Sequence, residues 1–567
     1  MKIRHIKINN FRGIRELDWS LPDSSFFCFI GRGDSTKSTI LEAIRFAFYP
    51  QWSLSFDDSD FYLSKTEQPI SVEVTIGDLP DEFLDLTKFG QYLRGWNPST
   101  LELLDEPGPE LEDVLTILLE VDESLEPKWR IINDRRKEGV EFKAGDRARV
   151  SVGYIGEYSD RHLTWSKGSV LSQLTEAQSI NSSLAGAARA AKGALDGKRA
   201  TDLIDFDSTA SKAETVAREL GITISDSYKA HLDIGAVNIK LGGLALHDGD
   251  IPLRQLGLGS RRMLTCGLQT QTLKQTHITL FDEIETGLEP SRIARLLKYI
   301  KEDKTGQYFF TTHSPVVLRE LTINDLYVVQ YHKGKTDIIR TNKAAIADSV
   351  QGNIRSGAEA FLSAKVIVCE GATEFGLCRG LDNYWLEQDK PSFSYRGVAC
   401  IDARGVDNIK NLASNINELG YAVSIIMDSD SPQKFSSTDA DDMRRAGIEI
   451  ITWEGEVSVE ERIIADLPWK AIVASVNLAK SIHGERIIDQ IGTQYSWGFE
   501  RDCEKWTDTE QIRNAIGKAA NKGEWFKRQD RAEAWFGEFK DYLNLPEMAK
   551  KDFMKKASLL RKWIDHE

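Results

Sequence analysis

The amino-acid sequence predicts an α/β protein with two domains: a mixed-sheet domain with a helical insertion, and a smaller parallel α/β domain followed by helices. Three observations support this fold class. The chain of 567 residues exceeds the size at which one hydrophobic core stops growing. Strand-like stretches near both ends of the first 345 residues flank a helix-like middle. After residue 361, short apolar strands alternate with helical segments.

The middle of the first domain differs in composition from its flanks. It is rich in Ala, Ser, Leu and charged residues, contains no Pro, and has Gly193 and Gly197 as candidate breaks between helices. A helical hairpin projecting from a sheet is the expected product. After Gln330 the chain is polar and favours helix up to about Phe361, so we place the domain boundary there. The predicted organisation is a first domain at residues 1–168 and 233–345, its helical insertion at 169–232, a second domain core at 361–470 and C-terminal helices at 471–567.

Net charge limits how this chain could bind nucleic acid. The formal charge of −15 argues against a protein that coats DNA through its overall field, because phosphate binding needs Lys and Arg facing the polymer. Any DNA contact must therefore be local. Basic pairs near the C-terminus lie close to Trp and Phe residues, but they are at least as typical of a solvated helix face. These pairs are Lys527-Arg528, Lys550-Lys551, Lys555-Lys556 and Arg561-Lys562.

The sequence predicts a cytoplasmic protein without a membrane span. Residues 1–8 alternate apolar and basic side chains, which favours a strand over a secretion signal. No apolar run reaches membrane-spanning length. The six cysteines lack C-x-x-C spacing, which fits reduced thiols better than a zinc site or a disulfide framework. We interpret all six as structural.

A loop between an apolar strand at residues 25–30 and an amphipathic helix at 39–48 is typical of phosphate binding, although an ordinary strand-to-helix turn is the alternative. In such a loop, Lys37 would contact the β- and γ-phosphates of a nucleotide and Ser38 the Mg²⁺ ion. Thr36 departs from the pattern, because glycine is usual there and a Cβ crowds the phosphate. The predicted nucleotide-binding residues of the loop are Gly31, Gly33, Asp34, Ser35, Thr36, Lys37, Ser38 and Thr39.

Two further strand ends agree with nucleotide hydrolysis. The apolar strand 278–281 ends in Asp282 and Glu283, which can hold the Mg²⁺ shell and orient the attacking water. The strand 308–311 runs into Thr312-His313-Ser314-Pro315, which would place the His313 imidazole beside the γ-phosphate. Three strand-end elements therefore point to the same chemistry.

These residues resemble the ATP-binding-cassette (ABC) ATPases of the SMC, RecF and OLD (overcoming lysogenization defect) group. Asn10-Phe11-Arg12-Gly13-Ile14 looks like that group's N-F-R-G-I, and residues 282–290 look like its Walker B motif and D-loop. The resemblance implies that Gly259 and Ser260 belong to a signature loop, which caps ATP bound to a partner subunit. It therefore implies a homodimer or a higher homo-oligomer. Residues 57–61 fall where such proteins sense the nucleotide, although an acidic surface turn explains them equally well.

Four carboxylates follow two apolar strands in the second half of the chain. Glu370 ends the strand 366–369, and Glu374 lies four residues further, so a helix starting at once would put both on one face. Asp428 and Asp430 end the strand 424–427 and can both reach a metal ion from a turn. Hard oxygen ligands of this kind suit Mg²⁺ or Mn²⁺. Each motif alone is more often solvated surface, but their combination favours a metal site.

This arrangement resembles the Toprim domain shared by topoisomerases, primases and OLD nucleases. By that resemblance, residues 398–405 match the middle loop, where the small Gly405 would let phosphate approach. Residues 457–462 match a stretch in which a further acid supports the second metal ion; Glu460 is favoured and Glu461 is the alternative. A lysine that steadies the transition-state charge is expected near the C-terminus. Lys522 fits best, and Lys518 and Lys527 are the alternatives.

The resemblance to OLD-family ATPase-Toprim nucleases covers nearly the whole chain. It implies an ATP-binding, metal-dependent DNA endonuclease, with ATP and Mg²⁺ or Mn²⁺ as cofactors of the two sites. Relatives of this kind are often antiviral defence effectors that act with a helicase-like partner in Gabija-type systems, or with a retron reverse transcriptase and its DNA. The predicted catalytic residues are Glu370, Glu374, Asp428, Asp430, Glu460, Lys522, Glu283 and His313, and the predicted metal ligands are Glu370, Glu374, Asp428, Asp430, Glu460, Ser38 and Asp282.

The expected mechanism is phosphodiester hydrolysis by water that metal ions activate, with the acids as ligands and not as nucleophiles. ATP bound at Lys37 and Ser38 would close paired ATPase heads, with the insertion supporting dimerisation, and that state would set whether the Toprim site admits DNA. Strand passage is disfavoured because no context for a catalytic tyrosine is assignable. Two other functions stay open: a RecF-like DNA-binding repair ATPase with a non-cleaving Toprim module, and a nuclease acting on RNA.

Overall fold

The structure is a computed structural model in which most of the chain is described. Within the described ranges, no helix has both the length and the apolar character needed to cross a membrane. The residues described are 1–51, 53–150, 152–156, 160–165, 169–171, 204–219, 227, 245–272, 277–340, 351–352, 354–495 and 500–566.

The described residues form both β-strands and α-helices. The strands, in chain order, are β1 Lys2–Phe11, β2 Ile14–Ser20, β3 Phe26–Ile30, β4 Ile70–Gly77, β5 Arg94–Asn97, β6 Glu102–Leu104, β7 Glu112–Val121, β8 Pro127–Ile132, β9 Val140–Glu141, β10 Val152–Ile155, β11 His247–Asp248, β12 Ile251–Pro252, β13 His277–Phe281, β14 Gly306–Thr311, β15 Leu326–His332, β16 Lys335–Ile339, β17 Lys365–Cys369, β18 Val398–Asp402, β19 Ala422–Ile426 and β20 Glu449–Ile451. The main α-helices are α1 Lys37–Ala47, α2 Ala144–Arg147, α3 Ile204–Glu219, α4 Leu258–Thr272, α5 Pro290–Glu302, α6 Pro315–Glu320, α7 Ala372–Leu386, α8 Val406–Glu418, α9 Ser437–Arg445, α10 Val459–Asp466, α11 Trp469–His483, α12 Arg486–Tyr495, α13 Glu510–Lys522, α14 Gln529–Phe539 and α15 Asp552–Asp565.

The chain divides into two compact units. Unit 1 comprises Met1–Lys2 and Arg149–Tyr308, and unit 2 comprises Ile3–Ala148 and Phe309–Glu567. The predicted insertion falls in unit 1, where α3 is helical as expected. Most of the insertion, including both candidate glycine breaks, lies outside the described residues.

The N-terminal part of unit 2 contains a mixed sheet with the strand order β3-β15-β16-β2-β1-β4-β7-β5-β6. β15 pairs with β3 in parallel, whereas β2 pairs with β1, and β7 with β4, antiparallel. All five residues of β3 are buried, as expected for a central strand with two covered faces. α1 buries Ile40, Leu41 and Ile44 on one face and contacts β4 and β7. The predicted mixed sheet is confirmed.

The segment after Gln330 differs from the expectation. β15 continues to His332 and β16 returns antiparallel to it, so the predicted helical preference is wrong for residues 335–339. Lys333 and Gly334 have positive φ values of 48° and 93°, the geometry of a two-residue type I′ turn. Asn-Gly and Asp-Gly are the usual signals for this turn, and the Lys-Gly pair did not reveal it.

The C-terminal part of unit 2 contains a parallel sheet in the order β18-β17-β19-β20. The central pair is in register, with Cys369 at the end of β17 opposite Ile426 at the end of β19. Residues that follow these two strands therefore meet at one edge of the sheet, where ligands bind in open α/β folds.

The C-terminal helices complete the core of this domain. Buried apolar side chains of α10 to α15 form one cluster with those of the parallel sheet and α7. Two glycines of α7 allow α14 to approach closely. A Cβ on Gly376 would lie 2.4 Å from the carbonyl oxygen of Gln529, and one on Gly380 would lie 2.4 Å from the Phe536 ring. The predicted parallel α/β domain with C-terminal helices is confirmed.

Unit 1 contains the parallel pair β10 and β13. β13 is buried along its whole length, and its last residue is followed by the two acids that the sequence singles out. The amide N–H of Asp282 extends the pairing by donating to the carbonyl of Ile155 (3.0 Å). The strand end thus fixes the backbone that carries these acids.

Candidate nucleotide and metal sites

The loop between β3 and α1 is wrapped around the amine of Lys37. The Nζ atom donates to the carbonyls of Gly31 (3.1 Å) and Arg32 (2.7 Å) and to Ser35 Oγ (3.2 Å). Lys37 is only 4% exposed, and a buried ammonium requires such acceptors. The loop therefore holds its own cation at the N-terminus of α1, where the helix dipole also favours a phosphate.

Three loop positions have a backbone conformation that favours glycine: Gly31, Asp34, whose φ is 61°, and Thr36. Gly31 has φ 130°, and a Cβ there would lie 2.6 Å from the carbonyl oxygen of Val329. Thr36 has φ 68°, in the left-handed region. A residue with a Cβ typically loses about 1–2 kcal/mol in that region. Thr36 is therefore strained, and the loop keeps the backbone conformation that glycine usually adopts at this position.

The loop of His313 lies beside the strand that enters the phosphate loop. The amide N–H of Thr312, at the end of β14, donates to the carbonyl of Phe29 in β3 (3.4 Å). The His313 side chain is exposed. The other predicted loop residues are the exposed Gly33, Asp34 and Ser38 and the half-buried Thr39.

In unit 1, a buried arginine ties the predicted signature helix to the two predicted acids. Arg262 of α4 is 1% exposed and donates to the backbone carbonyls of Asp282 and Glu283. Burial lowers the pKa of its guanidinium. Gly259 allows close packing, because a Cβ there would lie 2.4 Å from a backbone oxygen of the 282–290 segment. Ser260 Oγ accepts a hydrogen bond from an arginine of α5 (3.0 Å). The signature segment and the acids are therefore held together within this unit.

The acidic segment at residues 57–61 is tied to the N-F-R-G-I motif. Arg12 Nε donates to Asp60 Oδ1 (2.8 Å), and Arg12 also pairs with Glu42 of α1. Asp57 caps a short 3-10 turn by accepting from the N–H of Ser59 (2.7 Å). These bonds give the segment a structural role, and nucleotide sensing stays a prediction.

The ends of β17 and β19 bring the predicted acids of the C-terminal domain together. The amide N–H of Asp428 donates to Glu370 Oε2 (3.0 Å), and that of Val459 donates to Asp428 Oδ1 (2.7 Å). Glu374, in the first turn of α7, accepts from the N–H of Gly371 (2.9 Å). Asp430 is exposed, and its charge acts on Glu370. We call Glu370, Glu374, Asp428, Asp430 and Glu460 the acidic cluster.

Burial and mutual repulsion raise the pKa values of most of these carboxyl groups. Burial raises the pKa of Glu374 to about 8, and the negative charge of Glu460 adds to the effect. Burial, followed by the charges of Glu374, Glu460 and Glu370, raises the pKa of Asp428 well above its ordinary value. Burial also raises the pKa values of Glu370 and Glu460. Like charges held in a low-dielectric environment favour the binding of a multivalent cation.

Glu460 faces the other acids, whereas the alternative Glu461 does not. Glu460 is 1% exposed and accepts from the hydroxyl of Thr373 (3.2 Å). Glu461 accepts from the N–H of Ser458 (3.0 Å) in a capping box at the start of α10. The sequence did not predict the contact of Thr373 with Glu460. The position of Thr373 between the two glutamates of the E-G-A-T-E motif was the signal that could have indicated it.

Of the three candidate lysines, Lys527 is the one whose positive charge acts on the acids. It opposes the raised pKa values of Glu370 and Glu460. Lys522, at the end of α13, instead donates to Gln494 Oε1 (3.3 Å), and Lys518 is exposed on the same helix. This placement favours Lys527, one of the two alternatives to Lys522.

The predicted middle loop lies beside Glu370. The N–H of Gly405 donates to the backbone carbonyl of Glu370 (2.8 Å). Gly405 has φ 114°, and a Cβ there would meet nothing within 4 Å. The neighbouring Arg404 is exposed. The loop therefore leaves open space next to the acids.

Mg²⁺ or Mn²⁺ fits the chemistry of the acidic cluster. All of its side chains offer carboxylate oxygens, which hard divalent ions prefer. The raised pKa values show a concentration of negative charge that such an ion would neutralise. Among the described residues, no three carboxylates have oxygens that all lie within 4.8 Å of one another. The carboxylate oxygens of the acidic cluster are therefore more widely separated than the oxygens of one compact metal site.

Two family models match the sequence, in the order of the two sites. The model described as "AAA domain, putative AbiEii toxin, Type IV TA system" matches residues 26–319, which is more than half of the chain. The model described as "Overcoming lysogenization defect protein-like, TOPRIM domain" matches residues 361–430, which include Glu370 and Asp428. The chain belongs to the OLD family of ATPase-Toprim proteins. This OLD-family chain thus joins an ATPase domain to a Toprim domain, the composition of a nuclease-like ATPase, and such domains generally use ATP and divalent metal ions.

The solved structures similar to this OLD-family protein include SMC head domains. An SMC head bound to the C-terminal winged-helix domain of ScpA is 14% identical, with 60% of this chain and 98% of that chain covered and a TM-score of 0.33. The SMC head domain from Thermotoga maritima is 15% identical, with 60% and 100% covered and a TM-score of 0.29. An SMC head with an extended coiled coil, bound to the C-terminal domain of ScpA derived from Pyrococcus furiosus, is 12% identical, with 62% and 99% covered and a TM-score of 0.33. Because these TM-scores are low, the assignment depends on the family models. A search of curated proteins gave no match.

Proposed function

We propose that this OLD-family protein is an ATP-controlled, metal-dependent DNA endonuclease that cleaves at the acidic cluster. The observation that carries the proposal is the convergence of the half-buried Glu370 and Asp428 and the buried Glu460, from three separate segments, into one group with raised pKa values. Repulsion of this kind destabilises a fold, and strongly perturbed groups that face one another often mark functional sites.

In the proposed reaction, the acidic cluster would hold Mg²⁺ or Mn²⁺, and the bound ion would supply activation of water and neutralisation of the leaving oxygen of the phosphodiester. Residues of the chain supply the remaining parts. Lys527, on the exposed rim, neutralises charge that develops on the phosphate. Gly405 leaves room for the DNA backbone beside Glu370, and the exposed Arg404 provides a phosphate contact.

We assign ATP to the loop around Lys37. The phosphates would replace the three internal acceptors of its amine, since a lysine in this position binds β- and γ-phosphates. The signature loop would cap ATP on a second subunit, so the functional unit is a homodimer that residues 169–232 help to hold. The other proposed roles are Mg²⁺ binding by Ser38 and Asp282, orientation of water by Glu283, a γ-phosphate contact by His313, and capping by Gly259 and Ser260.

A cavity within unit 2 supports control of the nuclease by the nucleotide. It has a volume of about 450 Å³ and is lined by residues 31–35 of the phosphate loop and by Gly420 and Tyr421, which directly precede β19. Gln330 Nε2 donates to the carbonyl of Leu419 (3.3 Å). A Cβ on Gly420 would lie 2.2 Å from the Gln330 side chain. A movement of the loop on binding phosphate would therefore reach the parallel sheet through this contact.

A partner would solve the problem that the chain's net charge creates. At −15 the protein as a whole repels DNA, so a DNA-bound partner would raise the local concentration of substrate. We propose a defence role in which a helicase-like protein, or a retron reverse transcriptase with its DNA, brings the substrate to the nuclease.

Cleavage assays test the proposed function. Plasmid DNA and RNA are each incubated with the full-length protein and Mg²⁺ or Mn²⁺, with and without ATP. We expect cleavage of DNA that needs the divalent ion and is lost in Glu370→Gln. Glu449→Gln is the matched control, because Glu449 is an exposed carboxylate at the start of β20, where it pairs with Ser424 and not with the strand ends that lead into the acidic cluster. Intact DNA under every metal condition, with ATP still hydrolysed, would establish the non-cleaving alternative, and cleavage of RNA alone would establish the RNA nuclease.

A further inference from the structure

A second cluster of donor atoms lies directly behind the acidic cluster. The Sγ atoms of Cys369, Cys378 and Cys400 all lie within 4.8 Å of one another, and those of Cys369 and Cys378 are 4.0 Å apart. Across the described part of the chain, no other three His, Cys, Asp or Glu side chains bring their donor atoms so close. Six cysteines that look scattered in the sequence thus include a compact group of three thiols.

Three different elements bring these thiols together. Cys369 ends β17, Cys400 lies on β18 opposite Ile367, and Cys378 lies on α7 one turn beyond Glu374. Cys369 and Cys378 are buried, whereas Cys400 is partly exposed. The group therefore lies at the margin of the buried core.

The separations fit one shared ion better than a disulfide. Three thiolates bound to one metal ion at about 2.3 Å in a plane are about 4.0 Å apart. A disulfide requires its two sulfur atoms at about 2.05 Å, so Cys369 and Cys378 would have to move about 2 Å closer.

We infer that Cys369, Cys378 and Cys400 form a binding site for a thiophilic cation, Cu⁺ or Zn²⁺. Thiolates select such soft ions, whereas the carboxylates of the acidic cluster select Mg²⁺ and Mn²⁺. A bound ion would fix the backbone that leads into Glu370 and the first turns of α7, which carry Glu374. The two metal sites would thus be neighbours of different chemistry. This inference does not depend on the proposed nuclease function.

Metal titration tests the site directly. Reduced full-length protein is titrated without oxygen, with Cu⁺ in one arm and Zn²⁺ in the other, against a chromophoric competitor. We expect one tight equivalent per chain and an X-ray absorption shell of sulfur at about 2.3 Å. Cys378→Ser and Cys400→Ser should each weaken binding by at least about 100-fold, because even outer partners of metal ligands typically contribute 10- to 100-fold. Cys400→Ser changes a partly exposed position, so it provides a variant that should fold.

Two controls separate this site from its surroundings. Cys503→Ser alters a buried cysteine of the same domain outside the group and should leave the affinity unchanged. Glu370→Gln should keep the thiophilic ion. The inference would be overturned if neither Cu⁺ nor Zn²⁺ bound tightly at one equivalent per chain. Equal affinity in the wild type and Cys400→Ser, or loss of the ion in Glu370→Gln, would also overturn it.

Discussion

The phosphate loop and the acidic cluster deal with buried charge in opposite ways. In the loop, one ammonium is satisfied by three oxygens of the protein itself. In the acidic cluster, several carboxylates raise one another's pKa values, and the lysine that acts on them is on the exposed rim. The ammonium of the loop is thus satisfied by the protein itself, whereas in the acidic cluster burial and repulsion outweigh the opposing charge of Lys527, and the pKa values stay raised.

Because of this difference, we expect the acidic cluster to need its ion for stability as well as for function, whereas the phosphate loop needs its nucleotide for function alone. A nucleotide must displace internal hydrogen bonds before it binds Lys37. A divalent ion only relieves repulsion that already exists in the acidic cluster. We therefore expect the folded state to depend more on divalent ions than on nucleotide.

The largest effect is expected from removing one charge of the acidic cluster. Glu370→Gln should lower DNA cleavage by more than about 100-fold, because even outer partners of metal ligands typically contribute 10- to 100-fold. ATP hydrolysis should change by less than about two-fold, since Glu370 is distant in sequence and role from Lys37. Parallel nuclease and ATPase assays with the Glu449→Gln control measure both. Equal losses of the two activities would argue for a general folding defect.

The converse change removes the ammonium from the loop. Lys37→Ala should weaken ATP binding by roughly 10- to 100-fold, because it deletes a charge-assisted contact with phosphate. Metal-dependent cleavage without ATP should persist. Equilibrium binding of a fluorescent ATP analogue measures the first effect and the plasmid assay the second. Unchanged nucleotide affinity would remove Lys37 from the proposed site.

Lysine substitutions test the rim of the acidic cluster. Lys527→Ala should lower cleavage by about 10-fold or more through loss of charge near the phosphate, with little change in Mn²⁺ affinity. Lys522→Ala is the matched control and should alter cleavage by less than about three-fold, because its amine contacts Gln494. If Lys522→Ala gave the larger loss, the original sequence preference would be right and the choice of Lys527 wrong.

The stability of the metal-free protein should fall as pH rises. The pKa of Glu374 is raised from its ordinary 4.5 to about 8, so the folded state keeps a proton that the unfolded chain releases between these values. Rising pH across that window therefore lowers the free energy of unfolding. Mg²⁺ replaces the proton, so it should raise the melting temperature more at about pH 8.5 than at about pH 6.

Melting curves in a chelator and in Mg²⁺ at both pH values measure this linkage. Glu374→Gln should flatten the pH dependence of the metal-free protein. A metal-free wild type that became more stable between these pH values would contradict the assignment of Glu374 to the acidic cluster.

The smallest effect is expected at Thr36. Glycine removes about 1–2 kcal/mol of left-handed strain but adds up to about 1 kcal/mol of chain entropy on unfolding. Thr36→Gly should therefore change stability by about 1 kcal/mol or less and preserve or raise ATP affinity. Denaturant melts and nucleotide titration check both. A large loss of ATP binding would show that the threonine has a role of its own in the loop.

The positions of the acids could be predicted because parallel strands end at a common edge. Glu370 and Asp428 each follow an apolar strand, so the topology alone brings them together. Lys37 follows in the same way from a strand, a loop and a helix. These features could be predicted from local sequence because each depends only on one strand and on the residues directly after it.

Features that depend on the approach of distant segments could not be predicted. Lys527 and Lys522 are five residues apart, and only the packing of α13 decides which charge acts on Glu370. The thiol group combines β17, α7 and β18, so no sequence spacing indicates it. The hairpin of β15 and β16 was missed because Lys333 has a positive φ in its turn, and a lysine does not indicate that conformation in a sequence.

Binding of Mn²⁺ to metal-free full-length protein, followed by electron paramagnetic resonance, tests the central claim most directly. We expect the wild type and Lys37→Ala to bind Mn²⁺ equally in the absence of nucleotide, and Glu370→Gln to bind at least about 10-fold more weakly. Equal Mn²⁺ binding by the wild type and Glu370→Gln, or a loss confined to Lys37→Ala, would contradict it.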